Sequence, residues 1–247
     1  MPVLQPEMMH LLWLIALAHV VGDFVLQTDR VFRLKVTSAW GVLLHVGICG
    51  ITMVAVLLPF VPDARIWTVI AGVTAWHLLL DWSKGVLRKR WGKETIGLFL
   101  GDQALHIVGI IGAVLVCCRF AGPPTPADSL RWLLIPLPAV IVTTAVLVAS
   151  FAAAPLIYYL QQLPGGRRRE DPAPFPAYLV RVPGYVERAL GTVGAYVGEW
   201  GMIALVAIVG RWVWRRGLHD SAATVEALAG IVFCLVMGVG ARLLVGR

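Results

Sequence analysis

The sequence predicts an all-α fold, a polytopic transmembrane bundle of about seven helices, and three observations predict it. Of the 247 residues, 59% are hydrophobic and 14% charged, with a mean hydropathy of +0.80; a soluble domain holds only roughly 45–50% apolar residues. The apolar residues fall into runs close to the ~20 that a helical span requires. The Lys and Arg residues lie mainly between those runs, so the net charge of +7 is read as loop charge rather than as a nucleic-acid-binding surface.

Taken in order, the first run, residues 8–27, has no basic segment ahead of it and no small-residue cleavage site before the polar "GDFVLQTDR". It therefore reads as a retained helix, not a signal peptide. Runs at 39–60, 66–86 and 97–118 have the length of spans. The fifth, 131–160, is overlong and carries Pro136, Pro138 and Pro155, which predict a kink or an extension beyond the bilayer. Runs at 186–210 and 226–245 complete the set and leave no soluble domain over. Two modules are expected, residues 1–120 and residues 121–247, the second with a basic, Pro-rich cytoplasmic loop near 161–185 that contains "GGRRREDPAPFP".

Orientation follows from charge. Arg30, Arg33 and Lys35 follow the first helix, Lys84, Arg88, Lys89, Arg90 and Lys93 the third, and Arg167, Arg168, Arg169 and Arg181 the fifth. An excess of basic residues marks cytoplasmic loops. The N-terminus is thus expected outside and the C-terminus inside a bacterial cytoplasmic (inner) membrane, although Arg211, Arg215 and Arg216 run against that map.

A polar pattern runs through the first four helices. "LAHVVGDFVLQ" sets His19 four residues ahead of Asp23, "AWHLLLD" repeats that spacing with His77 and Asp81, "GDQALH" reverses it with Asp102 and His106, and "GVLLHVG" adds His45. Residues four apart share a helix face. Helices one and three are expected to run toward the cytoplasm and helix four away from it, so the reversed order restores one depth profile. At ~1.5 Å per residue, each Asp falls roughly 6–8 Å inside the cytoplasmic helix ends and each His roughly 9–14 Å. All seven groups fit one layer. Imidazole nitrogen and carboxylate oxygen converging in a dry pocket suit one or two divalent ions, Zn, Mn or Fe. The plainer alternative is that each pair hydrogen-bonds across helices and holds them together.

These segments, with "HLLLDWSK" and the later "RVPGYVERAL", resemble a bacterial membrane family called domain of unknown function 3307, most strongly over the first ~110 residues. The resemblance implies that His19, Asp23, Gln27, His45, His77, Asp81, Lys84, Asp102, Gln103 and His106 form one motif set, and it implies no reaction.

Around that set, Lys84 is the candidate contact for an anionic substrate group, and Gln27 and Gln103 are candidates to orient ligating carboxylates. Glu187, at the start of the sixth helix, is the candidate general base, with pairing to Arg188 as its structural alternative. Glu199 is costly enough inside a helix to need a partner. Cys49, Cys117, Cys118 and Cys234 lie in apolar runs without CxxC spacing and read as small buried hydrophobes. Gly97 and Gly101, like Gly194 and Gly198, have the spacing that lets helices approach closely, and Trp40, Trp67, Trp91 and Trp132 sit near helix ends as an interfacial belt. The expected function is a membrane-embedded, metal-dependent hydrolase. Its substrate would be a lipid-linked or amphiphilic phosphate or ester at the cytoplasmic face. A metal-ion or proton-coupled transporter is the first alternative and a non-catalytic scaffold the second.

Overall fold

In the computed structural model, residues 6–91, 95–161, 178–198, 210 and 221–246 are described, and among them the chain is helical without strands. The helices are α1 (Pro6–Val20), α2 (Asp29–Thr37), α3 (Ala39–Val56), α4 (Ala64–Trp91), α5 (Ile96–Ala121), α6 (Leu137–Leu147), α7 (Ala153–Gln161), α8 (Tyr178–Val197) and α9 (Ser221–Val245). Two π-helical turns, Val21–Val25 and Val148–Ala152, continue α1 and join α6 to α7.

Among the described residues, five segments are long and apolar enough to cross a membrane: Pro6–Val25, Ala39–Val56, Ile96–Ala121, Leu137–Gln161 and Thr224–Val245. The expected count is about seven, and two of the expected spans are not among these five. α4 has the length, but His77, Asp81 and its tryptophans dilute its apolar run. Much of the expected 186–210 span lies outside the described residues, as do Glu199 and most of the loop near 161–185. The expected fifth span starts as a 3-10 turn, Asp128–Leu133, and turns α-helical only at Leu137. Pro155 has no N–H for the carbonyl four residues back, and the π-turn just before it absorbs that break.

Two compact units divide the chain, Met1–Val140 and Ile141–Arg247. In the first, α1 packs on α3 and α5, α3 on α4, and α4 on α5, a closed ring of four helices. Its apolar core includes Leu14, Ile15, Met53, Val69, Ile110 and Val114. At one end of the ring Asp63 joins the two loops. Its carboxylate accepts from Arg65 Nη2 at 2.6 Å and from the Thr125 amide at 2.9 Å, and Ala127 N donates to Pro59 O at 2.8 Å. The Arg65 donors hold the Asp63 carboxyl well below the usual carboxylate range. At the other end α2 lies against α3, where Thr28 and Ser38 cap the two helices with their side-chain oxygens. Gly41 makes that turn possible, since a side chain there would collide with the backbone of Leu34 and Lys35. Exposed Trp40, Trp67 and Trp132 lie near helix ends, as an interfacial belt requires.

In the second unit α9 packs on α7 and α8, and α8 on the π-turn Val148–Ala152. Arg188 is buried there and donates through Nε to Ala149 O at 2.8 Å and through Nη2 to Ser150 O at 2.9 Å, so the side chain fastens α8 to the π-turn.

Candidate metal centre

The polar residues of the first four long helices meet inside the first unit. Asp23 comes from the π-turn that ends the first span, a distortion common at functional sites. Gly22 lets that turn reach α3: a Cβ there would lie 2.9 Å from Cys49 Cα. From this position Asp23 Oδ1 lies 3.0 Å from His45 Nε2. His77 Nε2 stands 3.3 Å from His45 Nε2, 3.2 Å from Asp81 Oδ2 and 3.8 Å from Asp23 Oδ1, while His45 Nε2 is 3.5 Å from Asp81 Oδ2. Four ligand-type atoms on three chain segments are thus separated by 3.0–3.8 Å along the five edges just given. A tetrahedral ion with bonds of about 2.0–2.2 Å sets its ligand atoms about 3.3–3.6 Å apart. The five separations bracket that range, so these residues could hold such an ion.

The other two histidines extend the cluster. The His19 ring stacks on His106 with centroids 5.0 Å apart, and both rings lie against His77, at 5.3 and 4.5 Å. His19, Asp23, His45, His77, Asp81 and His106 are all buried. Asp102 stands at the edge. Its backbone carbonyl accepts from His106 Nδ1 at 2.8 Å, and its carboxylate accepts from Lys84 Nζ and Gln103 Nε2, each at 3.1 Å. Gln103 thus donates to the Asp102 carboxylate, whereas Gln27 Oε1 accepts from Lys35 Nζ at 3.3 Å. Gly97 and Gly101 meet no neighbouring helix; close approaches in this unit are at Gly22, at Gly41 and at Gly109, which faces the Trp76 ring. His10 lies outside the cluster, bonded to Ile135 O at 2.8 Å, and Glu187 belongs to the second unit.

Two participants were missed from the sequence. Lys35 reads there as a loop charge, yet α2 folds it back so that Nζ lies 2.7 Å from Asp81 Oδ1 and 3.8 Å from Asp23 Oδ1. Burial opposes its charge, but the Asp81 and Asp23 carboxylates outweigh that and hold the ammonium above its ordinary value. Cys49 reads as a buried hydrophobe, yet its Sγ lies 3.7 Å from His45 Nε2, and the pair makes a possible ligand set with His77. The same i,i+4 spacing that exposed the His–Asp pairs links His45 to Cys49.

Gly22→Ala is expected to destabilise the protein by about 1–3 kcal/mol through overpacking against Cys49 and to pull Asp23 from His45. Gly47→Ala, where a Cβ meets nothing within 4 Å, serves as the control. Melting temperatures of both purified variants check this; equal behaviour would remove the packing argument for Gly22.

The first unit is a helical bundle with several helices long and apolar enough to span a membrane, built around a buried His–Asp–Lys cluster. Residues 11–122 match the model of the family described as Protein of unknown function (DUF3307). The resemblance read from the motifs is therefore shown over these helices, and every residue of the cluster lies inside the match, while "RVPGYVERAL" lies beyond it. No curated protein and no solved structure matches the chain.

Proposed function

We propose that the first unit binds a divalent cation, zinc first and manganese or iron next, and is a hydrolase for an anionic amphiphilic phosphate or ester at the cytoplasmic membrane surface. The observation that carries this reading is the spacing of His45 Nε2, His77 Nε2, Asp23 Oδ1 and Asp81 Oδ2, whose five measured separations of 3.0–3.8 Å bracket the edge length of one coordination tetrahedron. Charge supports the substrate class. Asp23, Asp81 and Asp102 oppose Lys35 and Lys84, so with uncharged imidazoles the cluster carries one net negative charge. A divalent ion turns that into one net positive charge, which an anionic group neutralises.

Bound there, the ion would lower the pKa of water and polarise the scissile ester. The protein does the rest. Lys35 and Lys84, both partly exposed, hold the substrate anion at the rim. Asp102, on the same rim, accepts the proton that water gives up as its oxygen bonds to phosphorus or to the acyl carbon, and returns it to the departing ester oxygen.

The full burial of His45, at 0% exposure, favours a second reading in which the ion itself is the cargo of a transporter. Both are tested on protein purified in detergent and in sealed proteoliposomes. Metal content is measured by elemental analysis, hydrolysis with a chromogenic phosphodiester, a phosphomonoester and a carboxylic ester, and flux with a zinc-sensitive dye inside the vesicles. Metal with hydrolysis supports the enzyme, and metal with flux but no hydrolysis supports transport. A protein that neither retains metal nor is stabilised by it is a scaffold.

A further inference from the structure

We infer that the cluster holds a second divalent-cation position beside the first, bound by His106 and His19 and bridged to the first by Asp23. The inference rests on the metal reading above and adds ligands that the first position does not use.

His106 supplies the main observation. Its Nδ1 lies 2.8 Å from the Asp102 carbonyl, and a carbonyl only accepts, so Nδ1 carries the proton. The neutral ring then presents Nε2 as a bare lone pair. That nitrogen is buried, on a residue only 3% exposed, and has no hydrogen-bond donor. A buried acceptor without a partner is costly, and a histidine fixed by Nδ1–H on a backbone carbonyl is the arrangement in which Nε2 ligates metals. Asp102 is part of the same construction: Lys84 and Gln103 fix its carboxylate, while its carbonyl fixes the ring.

His19 and Asp23 complete the set. The His19 ring stacks on His106 at 5.0 Å with 26° between the planes, so both imidazoles occupy one side of the cluster. Asp23 faces both sides. Its Oδ1 lies 3.0 Å from His45 Nε2, in the first tetrahedron, and its Oδ2 lies 3.9 Å from His19 Nε2. A carboxylate whose two oxygens address different imidazole groups is placed to bridge two ions. His106 also forms a possible ligand set with His77 and Asp81, all three ligand atoms lying within 4.8 Å of one another, so the two positions adjoin. Paired ions about 3.5–4 Å apart clamp the attacking and departing oxygens of a phosphoryl group. With two neutral imidazoles and a shared carboxylate, the second position has less negative charge than the first and fills after it.

The test is the zinc and manganese stoichiometry of the full-length protein, measured by elemental analysis after equilibrium dialysis, with paramagnetic resonance of the manganese form. Two ions per chain and a spin-coupled manganese signal are expected. His106→Ala is expected to hold one ion and give an uncoupled signal, with the tighter of two zinc affinities unchanged within about threefold. His19→Ala reads out the same loss if His106→Ala fails to fold. One ion in the wild type and in both variants overturns the second position and leaves the first standing. No ion in the wild type overturns the first reading, and the second falls with it.

Discussion

His77→Ala is expected to lower zinc affinity by more than ~100-fold and to abolish turnover while leaving a folded, membrane-inserted protein. Removing a group that merely orients a ligand already costs about 10–100-fold in affinity, and His77 is at the centre of this cluster. Its Nε2 lies 3.2 Å from Asp81 Oδ2, 3.3 Å from His45 Nε2 and 3.8 Å from Asp23 Oδ1. Its ring also separates the His45 side from the His19 and His106 side, with centroids at 5.3, 5.3 and 4.5 Å. If the imidazoles only join helices, the same substitution opens a cavity and lowers stability without touching metal content. Elemental analysis and a melting curve on one detergent preparation separate the two outcomes. Wild-type zinc retained by folded His77→Ala would sink the centre.

The sequence exposed the side chains on regular helices and hid those placed by irregular backbone. His77 with Asp81 and Asp102 with His106 lie on uninterrupted α-helices, where a spacing of four residues translates directly into a shared face. His19 and Asp23 have the same spacing, but Asp23 sits in a π-turn, and its position is decided by the close approach of Gly22 to Cys49, a tertiary contact without local periodicity. Lys35 was hidden more deeply. It belongs to a short surface helix between two apolar runs, and a hydropathy pattern treats such a segment as a loop. Only the turn at Ser38 and Gly41 folds that helix back over the cluster. The polar residues that make α4 chemically informative also keep it out of the described segments apolar enough to qualify as spans.

Lys35→Met gives the sharpest separation between a metal centre and a polar brace, because each assigns the ammonium a different task. Without an ion, Lys35 is the positive charge beside two buried carboxylates, at 2.7 Å from Asp81 and 3.8 Å from Asp23. Methionine keeps most of the apolar stem and removes the charge. Breaking a buried ion pair at one partner costs about 3–5 kcal/mol; the Lys35 side chain is 16% exposed, so the lower end, about 3 kcal/mol, is expected. Zinc should then recover most of the loss, since a divalent ion between His45, His77, Asp23 and Asp81 supplies the charge the variant lacks. The predicted observation is a melting temperature that zinc raises far more in Lys35→Met than in the wild type, with the variant still deficient in hydrolysing anionic substrates because Lys35 also holds their charge. In a brace the variant melts early and zinc does nothing for either protein. Equal zinc shifts in the two would place the ion away from Lys35 and the carboxylates it faces, and would overturn the assignment of this cluster as the binding site.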